Sequence, residues 1–234
     1  EFSVLKDQPI ALQIATDRPT DSFTATGLPP GLSIDPVTGV LSGSPTTEGT
    51  YNAIIQTSNA AGSGQSSLPL HVKDYTRWEY SSAITFPGYD DNDTLVDFPV
   101  YLEIGPNIPG FSYEQFTSDA GYDVRFVGGP NGAEELKYEP VQWNPAGTSA
   151  FWVRVPELKD GNSTITAIWG NPNATSQPAY CKDGTIWNRY HAVWHMDGDE
   201  SDVIRESRAS LHGSPMQFGA DIRVPGLIGK ALSF

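Results

Sequence analysis

Two histidines toward the C-terminal end of the chain have a spacing that can hold a metal ion. His191 and His195 are four residues apart, so on a helix both imidazoles would face one metal, as in zinc-binding helical motifs. The residues around them alternate with a period of two, which is typical of a strand. In a strand, residues four apart are separated by ~13 Å. We therefore expect these histidines to pack or hydrogen-bond on a strand face and not to share a zinc ion.

Two acidic clusters have the oxygen-rich composition that calcium prefers. The first lacks the regular Asp-x-Asp-x-Asp-Gly ladder, and a solvated loop is the alternative interpretation of both clusters. Calcium is the cofactor for which the sequence offers ligands. The candidate metal ligands are Asp90, Asp91 and Asp93 in the first cluster and Asp197, Asp199 and Asp202 in the second.

Catalytic residues are not recognisable in the sequence. A glycosidase needs two carboxylates beside a cleft, but Glu103, Glu114, Asp123 and Glu139 each fit an ordinary strand face. The Gly-x-Ser-x-Gly elbow of serine hydrolases is absent. The Gly-Ser-Gly run at 62–64 is predicted to be a loop and not a phosphate cradle, because no strand-then-helix context follows it. We predict that the chain is not an enzyme.

Composition excludes several other classes of protein. The 234 residues include 14 basic and 28 acidic ones, so the net charge of 14 − 28 = −14 disfavours nucleic acid and anionic membrane surfaces as partners. No apolar stretch approaches the ~18 residues of a membrane-spanning helix, so direct membrane insertion is not expected. The single cysteine, Cys181, excludes an internal disulfide, and we expect its thiol to be inert.

The elements that must position these residues are short strands. Gly and Pro number 23 and 19, which indicates many turns. In the first 73 residues, charge is sparse and short strands at close spacing predict a sandwich. A tight turn is predicted at 35–39, where Pro36 presets φ, the Asp35 side chain accepts from backbone amides and Gly39 can take a positive φ. The strand-like segments lie at 10–14, 23–26, 39–42, 51–58 and 67–72.

This first region resembles a known family of modules. Its ordered motifs are GLPPGLSID (27–35), TGVLSGSP (38–45) and GTY (49–51). They are similar to the immunoglobulin-like (Ig-like), cadherin-type modules of bacterial surface proteins. The resemblance implies a Greek-key sandwich that acts as a spacer or adhesion module.

A second β-rich region follows directly. Residues 74–80 form the predicted junction, and since no flexible linker intervenes we expect a stiff joint. Further strand-like segments lie at 83–86, 98–104, 124–127, 150–155 and 164–169, and a helical turn is predicted at 113–116. The motifs DFPVYL (97–102), GYDVRF (121–126), LKYE (136–139), WN (143–144), WVRVP (152–156) and WGNP (169–172) resemble the domain-of-unknown-function family twenty-three forty-one. That family implies a setting outside the cytoplasm and no particular activity.

A third, partial resemblance covers the end of the chain. Trp187, YHAVWHM (190–196), LHG (211–213) and GLIGKALSF (226–234) are similar to the opening strands of a concanavalin A-like, laminin-G-like jelly roll. Such a domain needs ~150 residues, so the jelly roll is predicted to be incomplete. Its last strand then packs back on the same chain, over Trp187 and Trp194, or adds to the sheet of a neighbouring molecule.

We predict an all-β chain of three parts: an Ig-like Greek-key sandwich at 1–73, a β-sandwich-like module at 74–185 and an incomplete jelly-roll segment at 186–234. The predicted function is that of a non-catalytic structural or adhesion segment of a multidomain extracellular or cell-surface protein from a bacterium or archaeon. Glycans or other surface proteins are the expected partners, because exposed aromatic rings can stack on sugars. About four of the six tryptophans are nevertheless expected in the core. Two alternatives are an accessory region of a secreted carbohydrate-active enzyme and a fibre subunit, a homo-oligomer assembled by strand donation.

Overall fold

Short alternating segments pair into five sheets in the computed structural model, which describes residues 2–89, 93–129, 131–190 and 193, and the backbone of 223–225 and 230–232. The described part of the chain is all-β apart from three single 3₁₀ turns, which confirms the predicted fold class. Within it, no helix is long and apolar enough to cross a membrane.

The N-terminal sandwich consists of seven strands in two sheets. One sheet has the order β1-β7-β6-β3 and the other β2-β5-β4. β1 runs parallel to β7, and all other pairs are antiparallel. The strands are β1 (Phe2–Leu5), β2 (Ile10–Gln13), β3 (Ser22–Thr26), β4 (Leu32–Ile34), β5 (Val40–Gly43), β6 (Gly49–Asn59) and β7 (Gly62–Lys73).

The core of this sandwich is small. Leu41, Ala53, Ile55 and Leu70 form its central cluster, which a larger number of half-buried apolar side chains surround, and Val4, Phe23 and Val72 are also buried. Its buried side chains alternate with outward ones along β6 and β7, as the period of a strand requires. Burial of the inward face of each sheet therefore provides most of the stabilisation of this sandwich.

Turn chemistry fixes the connections inside this sandwich. The Asp35 carboxylate accepts from the backbone N–H of Val37 at 2.9 Å and of Thr38 at 2.7 Å, and Gly39 has φ +71°. The predicted turn is confirmed. Gly31 and Gly43 also have positive φ, and a Cβ on Gly43 would overlap the carbonyl of Gly31. Only residues without a side chain allow these two backbone segments to lie so close.

The second sandwich also has two sheets, with the orders β11-β10-β14-β8 and β12-β13-β9. All of their pairs are antiparallel. The strands are β8 (Tyr80–Thr85), β9 (Leu95–Ile104), β10 (Val124–Gly128), β11 (Glu134–Leu136), β12 (Tyr138–Gln142), β13 (Ser149–Leu158) and β14 (Thr164–Trp169). Three 3₁₀ turns lie at Tyr113–Gln115, Ala179–Cys181 and Thr185–Trp187.

The core of the second sandwich is larger and richly aromatic. Phe126, Tyr138 and Phe151 are almost completely buried and meet edge to face, with ring centroids 5.3–5.8 Å apart. Such pairs add roughly 0.5–1.5 kcal/mol to the area that the rings bury. This core makes the second sandwich a rigid support for the side chains on its outer surface.

Several predicted elements differ from the structure. The strands β1, β4, β11 and β12 were not among the predicted segments, since each is short or interrupted by charge or proline. The predicted loop at 62–64 is wrong, because β6 pairs with this run and makes it the first part of β7. The helical turn at 113–116 is confirmed as a 3₁₀ turn with a capping box at Ser112.

At the C-terminal end, β15 (Arg223–Pro225) and β16 (Lys230–Leu232) form an antiparallel pair. Of the rest of the predicted jelly-roll segment, residues 186–190 and 193 are described, and the others lie outside the described part of the chain. The domain boundaries at 73/74 and 185/186 stay predictions.

Candidate functional site

The predicted calcium ligands fall mainly outside the described residues. Asp93 alone is described: it is exposed, and its backbone carbonyl accepts from the Tyr89 hydroxyl at 2.5 Å. Asp90, Asp91, Asp197, Asp199 and Asp202 lie outside, as do His191 and His195. Within the described ranges, no group of three His, Cys, Asp or Glu side chains could hold a metal ion. Calcium at these clusters stays a prediction.

The four carboxylates considered for hydrolysis lie in separate places. Glu114 is exposed in the first 3₁₀ turn, and Asp123 is completely buried before β10. Glu103 on β9 and Glu139 on β12 belong to the same sheet, but β13 lies between their strands. β13 thus separates Glu103 from Glu139, and Glu114 and Asp123 lie on neither of their strands.

Asp123 ties a loop to the second sandwich. Its carboxylate accepts from the backbone N–H of Thr117 at 2.8 Å, the Thr117 hydroxyl at 2.9 Å and the backbone N–H of Ser118 at 3.2 Å. The Thr117 hydroxyl also lies 3.3 Å from the carbonyl of Asn171. Because these bonds occupy both carboxylate oxygens, the role of Asp123 is structural.

A row of aromatic rings lies on the outer face of the β12-β13-β9 sheet. We call it the aromatic face, and it consists of Tyr101, Trp152, Trp187 and Tyr190. Consecutive ring centroids are 5.4, 5.3 and 5.9 Å apart, and each pair meets edge to face. Tyr101 and Trp152 come from paired positions of β9 and β13. Trp187 and Tyr190 come from residues 185–190, which we call the strap.

The strap is held on the sheet by its side chains. The indole N–H of Trp187 donates to the Glu139 carboxylate at 3.1 Å, on β12. At the β9 side, Asp97 lies 2.7 Å from the Arg189 guanidinium and 3.3 Å from that of Arg154. Arg154 also donates to the Asn188 side chain at 3.0 Å. These contacts fix the strap across all three strands.

The aromatic face offers both apolar and polar groups to a ligand. Trp187 is buried, Tyr101 and Trp152 are half-buried, and Tyr190 is 36% exposed. Burial, reinforced by the neighbouring Glu103 carboxylate, raises the pKa of Tyr101, so its phenol stays a neutral hydrogen-bond donor. Rings of this kind with carboxylates nearby can contact the apolar faces and hydroxyl groups of a sugar.

The described tryptophans differ in how deeply they are buried. Of the five described, Trp169 and Trp187 are buried, whereas Trp78, Trp143 and Trp152 are half-buried. Trp194 lies outside the described residues. Trp143 also packs against the core cluster, and none of the five described tryptophans is freely exposed.

A buried polar cluster lies behind the β11-β10 edge. The Arg125 guanidinium donates to the carbonyls of Tyr122 and Val124 at 2.8 and 2.6 Å and lies 3.4 Å from the Glu135 carboxylate. The Tyr180 hydroxyl donates to the same carboxylate at 2.7 Å. The sequence offered one signal for this cluster, an arginine inside the apolar GYDVRF run.

Burial raises the pKa of the hydroxyl and thiol groups around this cluster. Desolvation is the largest cause for Tyr138, Tyr180 and Cys181, and it raises the pKa of the Cys181 thiol to about 11. A thiol that is protonated and buried cannot act as a nucleophile near neutral pH. The expectation of an inert cysteine has this physical basis.

The junction between the sandwiches is pinned on both sides. The Tyr75 hydroxyl donates to the carbonyl of Ala133 at 3.1 Å, and the Arg125 guanidinium lies 5.2 Å from the centre of the Trp78 ring. On the other side, the Lys6 ammonium lies 3.0 Å from the Asp74 carboxylate. The sequence predicts a stiff joint, but its local pattern does not identify these partners.

The comparisons with known families cover two parts of the chain. Residues 2–73 match the family described as "Putative Ig domain", and residues 120–191 match "Domain of unknown function (DUF2341)". Both resemblances are thereby confirmed, although DFPVYL (97–102) precedes the second match. No family match supports the laminin-G-like resemblance. Residues 2–73 are therefore similar to an Ig-like module.

No curated protein matches the chain. A Bacteroides fragilis protein named "putative alpha-galactosidase/melibiase" is 27% identical over 30% of this chain, with a TM-score of 0.28, and a second "putative alpha-galactosidase" of that organism is 29% identical over the same share. The chain spans 16% and 15% of these two structures. Titin domains Z1Z2 are 14% identical over 71% of this chain and 83% of their own, with a TM-score of 0.27.

Proposed function

We propose that the chain is a non-catalytic, load-bearing spacer or adhesion segment of a larger bacterial or archaeal surface protein. The observation that carries this proposal is the parallel pairing of the first and last strands of the N-terminal sandwich. Phe2 pairs with Leu70 at one end of this ladder and Leu5 pairs with Lys73 at the other.

A parallel ladder of this kind resists force along the chain. Tension applied before Phe2 and after Lys73 pulls the two strands in opposite directions along their length. All hydrogen bonds between them are then loaded together, in shear, and not one after another. The backbone N–H of Lys6 adds a bond to the carbonyl of Lys73 at 2.9 Å, and Val4 and Val72 are buried beneath the ladder.

The junction extends this resistance to the second sandwich. Tension that leaves β7 passes directly into Asp74 and Tyr75, and both side chains have partners. No glycine occurs between Lys73 and Tyr80, so the connection has little of the freedom of a flexible linker. Such a segment suits a protein that must hold another domain at a fixed distance.

Single-molecule stretching tests the proposal. We expect the N-terminal sandwich to unfold at a higher force when it is pulled through its own two ends. It should unfold at a lower force when it is pulled between a cysteine introduced at the exposed residue Val37 and the C-terminal end of the sandwich. The second geometry does not place both ends of the β1–β7 ladder under opposing force. Equal forces in the two geometries would contradict a load-bearing ladder.

Absence of catalysis is part of the same proposal. Glycoside, ester and peptide substrates should give no turnover above blank. An activity that Glu139→Gln abolishes and Glu114→Gln leaves unchanged would overturn this part. In that case, an accessory or catalytic role in a carbohydrate-active enzyme would replace the spacer.

Glycan binding is a second candidate function, which the aromatic face favours. Its accessible ring surface is provided by Tyr190, Trp152 and Tyr101. A glycan array followed by titration calorimetry tests this function. We expect Tyr190→Ala to weaken the binding of any glycan found by about fivefold, since stacking contributes roughly 1 kcal/mol. Tyr122→Ala is the matched control, because Tyr122 is similarly exposed (37%) outside this face.

A further inference from the structure

The first and last strands of the second sandwich meet the rest of the chain at the same end. Trp169, the last residue of β14, pairs with Tyr80, the first residue of β8. Because the two strands are antiparallel, the residues that precede β8 and the residues that follow β14 start from this one end. The strap at 185–190 changes where the chain leaves the sandwich.

The strap leads the chain to the opposite end of the second sandwich. Its Arg189 contacts Asp97, which lies near the start of β9. The start of β9 pairs with the end of β13, and residues 159–163 connect that end of β13 directly to the start of β14. Tension between the junction and the residues that follow the strap therefore acts along the sandwich, and the strap is the first part to receive it from the C-terminal side.

Side chains provide the described contacts that hold the strap on the sheet. The backbone N–H of Trp187 donates to the carbonyl of Gly184 at 3.0 Å and that of Tyr190 to the carbonyl of Trp187 at 2.9 Å, so these backbone bonds are local. Each described hydrogen bond or ion pair from the strap to the sheet involves a side chain of at least one partner, and a pull from Tyr190 loads these contacts one after another. They are made, in chain order, by Thr185, Trp187, Asn188 and Arg189.

Three features of the strap favour its release as a unit. Gly184 precedes it with φ +73°, a backbone conformation that glycine adopts without strain and that suits a hinge. The Thr185 hydroxyl is buried and has no hydrogen-bond partner among the described residues, so the closed strap has a polar group that opening would hydrate. The Arg189 side chain is 56% exposed, so salt weakens its ion pair with Asp97.

The aromatic face exists only while the strap is closed. Trp187 and Tyr190 belong to the strap, whereas Tyr101 and Trp152 belong to the sheet. The two halves meet where the rings of Trp152 and Trp187 lie 5.3 Å apart. Lifting the strap therefore separates the row of rings into two halves.

We propose that the strap is a latch that tension on its C-terminal side opens before either sandwich unfolds, and that its opening dismantles the aromatic face. Contacts loaded one after another yield at a lower force than the β1–β7 ladder, whose bonds are loaded together. A glycan bound across Trp152 and Tyr190 is released when the strap opens, and its binding in turn keeps the strap closed. This control of the site rests on the load-bearing and glycan-binding functions proposed above.

Stretching the full chain between its N-terminal end and a cysteine introduced at Val193 tests the order of events. Val193 lies three residues beyond the strap, and the native Cys181 is buried, so the handle attaches at position 193. We expect a reversible step of about 20–30 Å, close to the extended length of the released residues, at a force below that of either sandwich. A first event that unfolds a whole sandwich would overturn the proposal.

Two strap variants should shift the opening in opposite directions without force. Arg189→Gln removes the exposed ion pair and should speed hydrogen exchange at the Trp187 and Tyr190 amides about threefold. Thr185→Val removes the unpaired hydroxyl at nearly constant shape and should slow this exchange. Lys182→Gln is the matched control, since it removes an exposed cation just before the strap and should leave the exchange unchanged. High salt should speed the exchange more in the native chain than in Arg189→Gln.

The outcomes for the latch and for the binding function are separate. Equal exchange in Arg189→Gln, Thr185→Val and the native chain would overturn the latch. A glycan that binds the aromatic face without raising the force of the strap step would overturn its control of the site. Absence of any bound glycan would contradict the second candidate function alone, because the strap step is measured without a ligand.

Discussion

The side-chain ammonium of Lys6 lies 3.0 Å from the carboxylate of Asp74, so an ion pair joins the residue after the first strand of the N-terminal sandwich to the residue after the last. Asp74 is also held by Thr76, whose hydroxyl and backbone N–H donate to it at 2.6 and 3.0 Å. The residue that begins the junction is thereby fixed from both sides.

This arrangement predicts a stability that depends on pH. Hydrogen bonds from Thr76 and Lys6 lower the pKa of Asp74 from 3.8 to about 2. Because the folded-state pKa is the lower one, the carboxylate stabilises the fold above about pH 4, and this contribution is lost as the pH falls toward 2. We expect Asp74→Asn to lower the free energy of unfolding by about 1–2 kcal/mol at pH 7. Urea unfolding at several pH values should show the difference vanish near pH 2.

Asp7 provides the control for this measurement. Its carboxylate lies 3.9 Å from the Lys6 ammonium and its side chain is 63% exposed, so Asp7→Asn should change the stability by less than about 0.5 kcal/mol. An equal effect of the two variants would show that the Lys6–Asp74 pair has no special role.

The close approach of Gly31 and Gly43 predicts a severe effect of a single methyl group. Gly43→Ala should destabilise the N-terminal sandwich by about 2–4 kcal/mol, since the new Cβ overlaps the Gly31 carbonyl and φ is positive at +124°. Gly64→Ala is the control, since Gly64 has room and an ordinary φ, and it should be neutral or stabilising by about 0.5–1 kcal/mol. Thermal unfolding of both variants measures the contrast, and similar melting temperatures would contradict it.

Removal of the buried Asp123 carboxylate should loosen the loop that it holds. Asp123→Ala leaves two backbone N–H groups and one hydroxyl without their acceptor, and we expect a loss of about 3 kcal/mol or more in the free energy of unfolding. Asp123→Asn keeps one acceptor oxygen and should lose less. Asp119→Asn, at an exposed side chain of the same loop, should behave as the native chain. A loss in Asp119→Asn equal to that in Asp123→Ala would count against this role.

Cys181 should resist alkylation in the folded chain. Burial raises the pKa of its thiol to about 11 and leaves it 2% exposed, so at pH 8 we expect iodoacetamide to react at least ~100-fold more slowly than with the urea-unfolded chain. Mass spectrometry of timed samples gives both rates. Fast labelling under native conditions would show that the region around Tyr138 and Tyr180 opens readily.

Calcium binding remains a prediction from the acidic clusters. If calcium binds only the folded chain, a free calcium concentration of 100 times the dissociation constant adds about 2.7 kcal/mol to the free energy of unfolding. Melting curves with calcium and with excess chelator measure it. Asp93→Asn together with Asp91→Asn should remove the shift if the first cluster binds, and Asp197→Asn with Asp199→Asn should remove it if the second does. An unchanged midpoint in the native chain would exclude both sites.

The sequence alone determined the class of the fold and most of its strands. Alternation along 10–14, 51–58 and 164–169 predicts half-buried strands because side chains in a strand point to opposite faces in turn. The turn at 35–39 was predictable for the same local reason, since Asp35, Pro36 and Gly39 act only on their neighbours. The motifs of the Ig-like resemblance contain Gly31, Gly39 and Gly43. The positive φ of these residues, and the close approach of Gly31 and Gly43, explain why other residue types are poorly tolerated there.

Only the tertiary structure decided what the polar side chains do. Glu139 and Trp187 are 48 residues apart, Arg125 and Trp78 are 47 apart, and their contacts depend on how distant strands pair and in which register. The run at 62–64 has loop composition but is a strand, because β6 supplies the partner that its own residues do not specify. Such long-range pairing is set by the sum of many small packing terms, and the local pattern of residue types does not contain it.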